Sequence, residues 1–234
     1  TDTSTTGTWR AGMKILSVKN IEDAKFQYIP FDGEWYQAFG RPERSGCWII
    51  YGKSGQGKTH FALLLARKLD ELGMRVLFIS LEMGVHDDFK KELALAGIRS
   101  GVSRIQFSEE CEGIEDIEGE ITKQRSADVV FVDSVQYLGD QCGVKAKEII
   151  ALRKKYPKKM FIFISHVEGK EVEGPMAYDV KKDSFRRIYI DRFKASHISR
   201  GAGGPRGYFI IWDKGYQKHW LENFKEQAYE NNND

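Results

Sequence analysis

The sequence predicts an α/β fold: a mostly parallel sheet flanked by helices, completed by C-terminal antiparallel hairpin strands. Three observations carry this. Short apolar runs at residues 47–51, 75–80, 104–107, 128–133 and 160–165 begin 28, 29, 24 and 32 residues apart, the spacing of successive strand–helix units. The runs are near-continuous in Val, Ile and Phe, which marks strands covered on both faces. Helical periodicity fills the stretches between them.

Taken in order, residues 1–29 read as an N-terminal tail or linker, since the first ten hold five Thr and one Ser and no apolar period. The absence of an initiator Met fits a processed or excised piece. Residues 30–222 form the core, and residues 223–234 are a polar tail ending in Asn231-Asn232-Asn233-Asp234. After the first strand, Phe61, Leu64, Leu65, Leu69 and Leu72 make one helical face that Gly73 terminates. Ile114, Ile117 and Ile121 form a shorter stripe, and Ile149, Ile150 and Leu152 mark a third helix. Beyond residue 185 the runs 187–193, 208–213 and 216–221 are short and joined by Gly-rich turns, which predicts hairpin strands.

Composition narrows the function classes. With 36 Lys+Arg against 34 Asp+Glu the formal charge is +2, which excludes a general polycation. The longest apolar runs are far too short to span a bilayer, so no membrane partner is expected. Residues 1–10 carry no apolar signal segment, so export is not indicated and a cytoplasmic setting is expected. Cys47, Cys111 and Cys142 are too few and too scattered for a disulfide scaffold or a zinc site.

The segment Gly52-Lys53-Ser54-Gly55-Gln56-Gly57-Lys58-Thr59 matches G-x-x-x-x-G-K-[ST] in full, with His60 following. Glycines let the backbone curl so that successive N–H groups face a polyphosphate, and the next helix adds its positive end. Lys58 is then expected to reach the β- and γ-phosphates and the Thr59 hydroxyl to ligate Mg²⁺. A strand before the motif and an amphipathic helix after it are the context this chemistry needs. No Asn-Lys-x-Asp guanine-reading element occurs, so ATP is favoured over GTP.

Such a site requires an acidic residue at the end of an apolar strand to hold the metal, and Val129-Val130-Phe131-Val132-Asp133 supplies Asp133. Ser134 stands where many ATPases carry the water-activating glutamate, so that carboxylate must come from another strand. Glu82, just past the run 75–80, ends on the edge that parallel strands share, and is the candidate general base. Glu92 and Glu109 have no comparable placement.

Together these residues resemble the RecA-like ATPase core over roughly residues 30–221, and more narrowly its RadA/Sms and DnaB-helicase branches. Val132-Asp133-Ser134-Val135-Gln136 is similar to the first branch and Ile79-Ser80-Leu81-Glu82-Met83 to the second. Ser165-His166-Val167, then Val172-Glu173-Gly174-Pro175, is similar to the stretch leading into a flexible DNA-facing loop. The resemblance implies a homo-oligomer, a hexameric ring or filament, with ATP at subunit interfaces and a neighbour's cation completing each site. Arg200 falls on the family's position for that cation and Lys194 is the second candidate, although Ile198 replaces the family's usual Lys. The resemblance also implies that His166 senses the γ-phosphate.

Residues 153–206 hold 14 Lys+Arg and 6 Asp+Glu, while residues 109–120 hold seven acids, so charge is segregated along the chain. Cations interleaved with Tyr178, Phe185, Tyr189 and Phe193 suit single-stranded DNA, whose phosphates need cations and whose bases need rings. The candidate contacts are Lys181, Lys182, Arg186 and Arg187 at the end of a loop over 168–183, with Lys145 and Lys147 on a second loop over 139–147. The expected function is an ATPase coupled to single-stranded DNA in recombination or as a helicase motor. An ATP-gated assembly module of the same fold is the alternative.

Overall fold

Strand-forming runs rich in Val, Ile and Phe assemble into one sheet in the structure, a computed structural model that describes residues 15–199 and 203–222. Along the chain come α1 (Val18–Glu22), α2 (Gly33–Phe39), β1 (Gly46–Gly52), α3 (Lys58–Glu71), β2 (Val76–Ser80), α4 (Asp87–Leu95) and β3 (Gln106–Ser108). Then follow α5 (Ile114–Thr122), β4 (Val129–Asp133), α6 (Val135–Asp140), α7 (Ala146–Lys155), β5 (Met160–Ser165), β6 (Val167–Glu168) and β7 (Glu171–Val172). The last elements are α8 (Gly174–Asp183), β8 (Arg186–Asp191), β9 (Lys194–His197), β10 (Tyr208–Ile210), α9 (Asp213–Tyr216) and a π-helical turn (Gln217–Glu222).

The main sheet runs β10-β9-β8-β1-β5-β4-β2-β3, and pairing is parallel from β8 through β3. Only β9 runs against the rest, joined to β8 and β10 as antiparallel neighbours. The fold class is therefore the expected one. Alternation along β1 splits the core into two layers. Trp48 and Ile50 face α2 and α3 with Phe61, Leu65, Phe78 and Phe131, while Cys47, Ile49 and Tyr51 face the layer of α5 to α8. Each large side chain buried this way contributes about 1.5–3 kcal/mol, which is why β2, β4 and β5 stay apolar up to their last residue.

Register places the functional edge. Ser80 pairs with Asp133, Asp133 with Ile164 and Tyr51 with Ser165, so β1, β2, β4 and β5 finish side by side. At Gly52 the sheet admits no side chain, since an added Cβ would meet the Ile190 carbonyl oxygen at 2.2 Å.

Three expectations are corrected. Residues 216–221 are helical rather than a strand, as Asp213 opens a helical turn and the aromatics fall at helical spacing. Tyr208, Tyr216 and Trp220 stack with centroids 6.4 and 6.3 Å apart. The stretch 168–183 is not one long loop. Glu168 and Glu171 close a small hairpin, Pro175 enters the first turn of α8, and Ala177 and Val180 bury against the sheet. The predicted strand over 104–107 shrinks to β3 because Arg104 is held by Asp70, its N–H donating to Oδ2 at 3.0 Å. Within the predicted linker, Ser17 caps α1, none of whose residues is buried.

Half-buried His197 accepts a hydrogen bond at Nε2 from Arg186 at 2.8 Å. Burial, then the Arg186 charge, pushes its pKa from 6.5 down to about 4. The unfolded chain therefore binds a proton that the folded chain refuses, and stability falls as pH drops from 6.5 towards 4. Urea unfolding at pH 7 and pH 4.5 is expected to show a smaller loss in His197→Gln than in the wild type. Gly52→Ala is expected to cost about 3 kcal/mol in the same assay, as overpacking against fixed backbone.

Candidate nucleotide site

The loop after β1 is shaped by glycines that only glycine suits. Gly55 and Gly57 have φ of 71° and 93°, and Phe193 Cδ1 lies 3.3 Å from where a Gly57 Cβ would sit. Gly57 is also the N-cap of α3 and offers no side chain, so first-turn N–H groups stay open to an anion. Gln56 Oε1 accepts from the Arg192 N–H at 2.6 Å, which pins the loop to the β8–β9 turn.

Lys58 is almost buried and its Nζ donates to the Lys53 carbonyl at 3.1 Å. Burial lowers its pKa, against which the charges of Asp133 and Glu82 pull upward. Thr59 Oγ1 donates to Asp133 Oδ2 at 2.9 Å. Asp133 is 1% exposed, and its other oxygen, Oδ1, is buried without a hydrogen-bond partner among the described residues. Burial, then the Glu82 charge, pushes its pKa up to about 6, opposed by Thr59, Lys58 and His166. A hydroxyl beside a carboxylate with an unpartnered oxygen is the all-oxygen donor set that fits Mg²⁺. The Asp133–Ser134 peptide is cis.

Glu82 arrives by backbone as well as by side chain. The Leu81 and Glu82 N–H groups donate to the Asp133 carbonyl at 2.7 and 3.0 Å, folding the end of β2 over β4. Its Oε2 lies 2.8 Å from His166 Nε2. That hydrogen bond holds the Glu82 carboxyl below its usual range and raises His166 above its own. Gln136 ties this corner to the next. Its Nε2 donates to Ser165 Oγ and to the Glu173 carbonyl, each at 2.9 Å, and its Oε1 accepts from the His166 N–H at 3.4 Å.

Lys58, Thr59, Glu82 and His166 open into one cavity of about 690 Å³. Sequence reasoning missed the rest of its lining. Glu92, which has no strand-end placement like that of Glu82, lies on the wall bonded to His60 Nδ1 at 3.0 Å. Phe193, read as a base-stacking ring for DNA, forms with Ile211 and Trp212 an apolar wall beside Gly57. No local pattern announces either residue, because both arrive through packing between distant elements. Glu109 instead accepts from the Val85 N–H at 2.7 Å.

The remaining candidates are scattered. Arg200 lies outside the described residues. The Lys194 ammonium sits 3.1 Å from the centre of the Trp220 ring of its own chain. Lys145 and Lys147 are exposed at the start of α7, and Lys182 is exposed over the Tyr178 ring. Lys181 pairs with Glu171 at 2.7 Å, Arg186 lies over Trp48, and Arg187 Nε donates to the Lys181 carbonyl at 2.9 Å.

The mostly parallel sheet, with the glycine loop after β1 and with Asp133 and Glu82 at its shared edge, has a RecA-like fold. Residues 45–159 match the family model described as an AAA domain. Among solved structures, the flagellar accessory protein FlaH from Methanocaldococcus jannaschii is similar at 15% identity and a TM-score of 0.56, over 80% of this chain and 99% of that one. The ATPase domain of G40P is matched at 16% identity and a TM-score of 0.49, over 70% of this chain and 78% of that one. No curated protein matches the sequence. Among the described residues no helix is long and apolar enough to cross a membrane.

Removing the buried ammonium leaves polyphosphate charge unanswered. Lys58→Ala is expected to weaken Mg·ATP binding at least about tenfold by calorimetric titration, with the unfolding midpoint preserved.

Proposed function

We propose that the chain is a Mg²⁺-dependent ATP hydrolase of cytoplasmic setting that acts as a homo-oligomer, a hexameric ring or filament, and couples turnover to single-stranded DNA binding or translocation. The observation that carries the catalytic part is the convergence of Lys58, Thr59, Glu82 and His166 on one cavity, with Asp133 buried behind Thr59 and bonded to it. In this reading the loop N–H groups and Lys58 bind the phosphates, and Thr59 and Asp133 would hold Mg²⁺, which would supply charge neutralisation for the phosphates when bound. Glu82 is ionised at neutral pH and takes the proton of the attacking water, while His166 fixes its orientation. Arg200 or Lys194 of a neighbouring copy would supply the remaining cation.

Support for the DNA part is the exposed cations Lys145, Lys147 and Lys182, and the Gln136 bonds that join His166 to the start of α8. A second reading, an ATP-gated assembly module without DNA work, is favoured by a different observation. Residues 174–183 are helical, and Lys181, Arg186 and Arg187 are engaged within the chain. The fold itself does not choose between them.

Phosphate release with and without single-stranded DNA separates the two, since stimulation is expected only from the first. Glu82→Gln is expected to retain ATP binding and lose at least about a hundredfold in turnover. Undiminished turnover would remove Glu82 from its role. Particle size with a non-hydrolysable ATP analogue, with and without DNA, tests the oligomer.

A further inference from the structure

We infer that His60 and Glu92 are specificity-determining residues that recognise the ribose hydroxyls of the nucleotide, an inference that rests on the ATP-site reading above. His60 directly follows Thr59 in the first turn of α3, and Glu92 stands on α4 one turn beyond Phe89, whose buried ring anchors that helix. The carboxylate Oε2 and His60 Nδ1 are 3.0 Å apart, and both side chains are partly exposed on the cavity wall.

The pair has a direction. In the neutral tautomer whose Nδ1–H donates to the carboxylate, His60 Nε2 carries a lone pair, and Glu92 keeps its second oxygen. Neither atom has a hydrogen-bond partner among the described residues. The neighbouring acids do not compete, because Asp87 and Asp88 are taken by Lys91. One wall thus presents two acceptors, one of them anionic. Such a wall suits hydroxyl donors, and a carboxylate accepting from a ribose hydroxyl is a recurrent solution in nucleotide sites. The placement agrees: His60 adjoins Thr59 in the first turn of α3, so this wall borders the residues that the ATP-site reading assigns to phosphate and metal.

The experiment titrates wild type, Glu92→Ala and His60→Ala with ATP, 2′-deoxyATP and inorganic triphosphate, each with Mg²⁺. The wild type is expected to favour ATP over 2′-deoxyATP by about tenfold, the worth of one good hydrogen bond. Each variant is expected to lose that preference through weaker ATP binding while holding inorganic triphosphate as the wild type does. Unchanged triphosphate binding also reports an intact loop, and should Glu92→Ala unfold, the isosteric Glu92→Gln must lower the preference instead. A variant that keeps the full preference, or a wild type without one, overturns the inference alone, as does equal weakening of ATP and triphosphate. A wild type that binds neither ATP nor triphosphate overturns the ATP-site reading and this inference with it.

Discussion

The site depends on one carboxylate placed where water cannot reach it. Asp133 closes a strand of wholly buried residues, so its side chain is desolvated by the same packing that stabilises the sheet. Left alone, a buried charge of this kind costs several kcal/mol, and proteins meet that cost with partners or by taking up a proton. Here Thr59 satisfies one oxygen, Lys58 supplies opposite charge, and the other oxygen has no hydrogen-bond partner among the described residues. A divalent cation is the group that chemistry leaves room for. The same residue places Glu82 through its backbone, as its carbonyl receives the Leu81 and Glu82 N–H groups. On the proposed reading, the metal ligand and the position of the water-activating carboxylate would both depend on this single amino acid.

How much of this was legible in the chain follows from the range of the interactions involved. The parallel strands were readable because burial on both faces writes itself as unbroken Val, Ile and Phe. The phosphate loop was readable because its backbone curl demands glycine at fixed offsets, and Glu82 because parallel strands end on one edge. Glu92 was not, since an acid on a short charged helix looks solvated until α4 is laid against α3. Phe193 was misjudged for a related reason: rings among cations suit nucleic acid, but the β8–β9 turn folds this one back onto Gly57. The stretch 168–183 did carry a helix signal in Pro175, Ala177 and Val180, masked by surrounding Gly and charge. Tyr216 to Leu221 deceived through composition, because aromatics stacked along one helical face resemble a strand when only their identity is counted.

The near-neutral total charge hides a division that folding partly undoes. Several cations of the basic stretch 153–206 are spent inside the molecule, with Arg153 forming a bidentate pair to Asp183 at 2.6 and 2.7 Å. Lys155 reaches across to Glu118 of the acidic region. Segregation in sequence becomes pairing in space, and what remains outward is a smaller set of lysines than a count along the chain suggests.

Gln136 has a mechanical consequence. One amide group joins the segment after Asp133, the end of β5 and the entry to α8, and both its oxygen and its nitrogen are already engaged. A side chain bonded to three segments at once cannot follow one of them without straining its bonds to the others. The corner is in that sense a three-way latch, and displacement of His166 or Asp133 by a fraction of a hydrogen-bond length must be absorbed either at the latch or by the helix that carries Lys181 and Lys182.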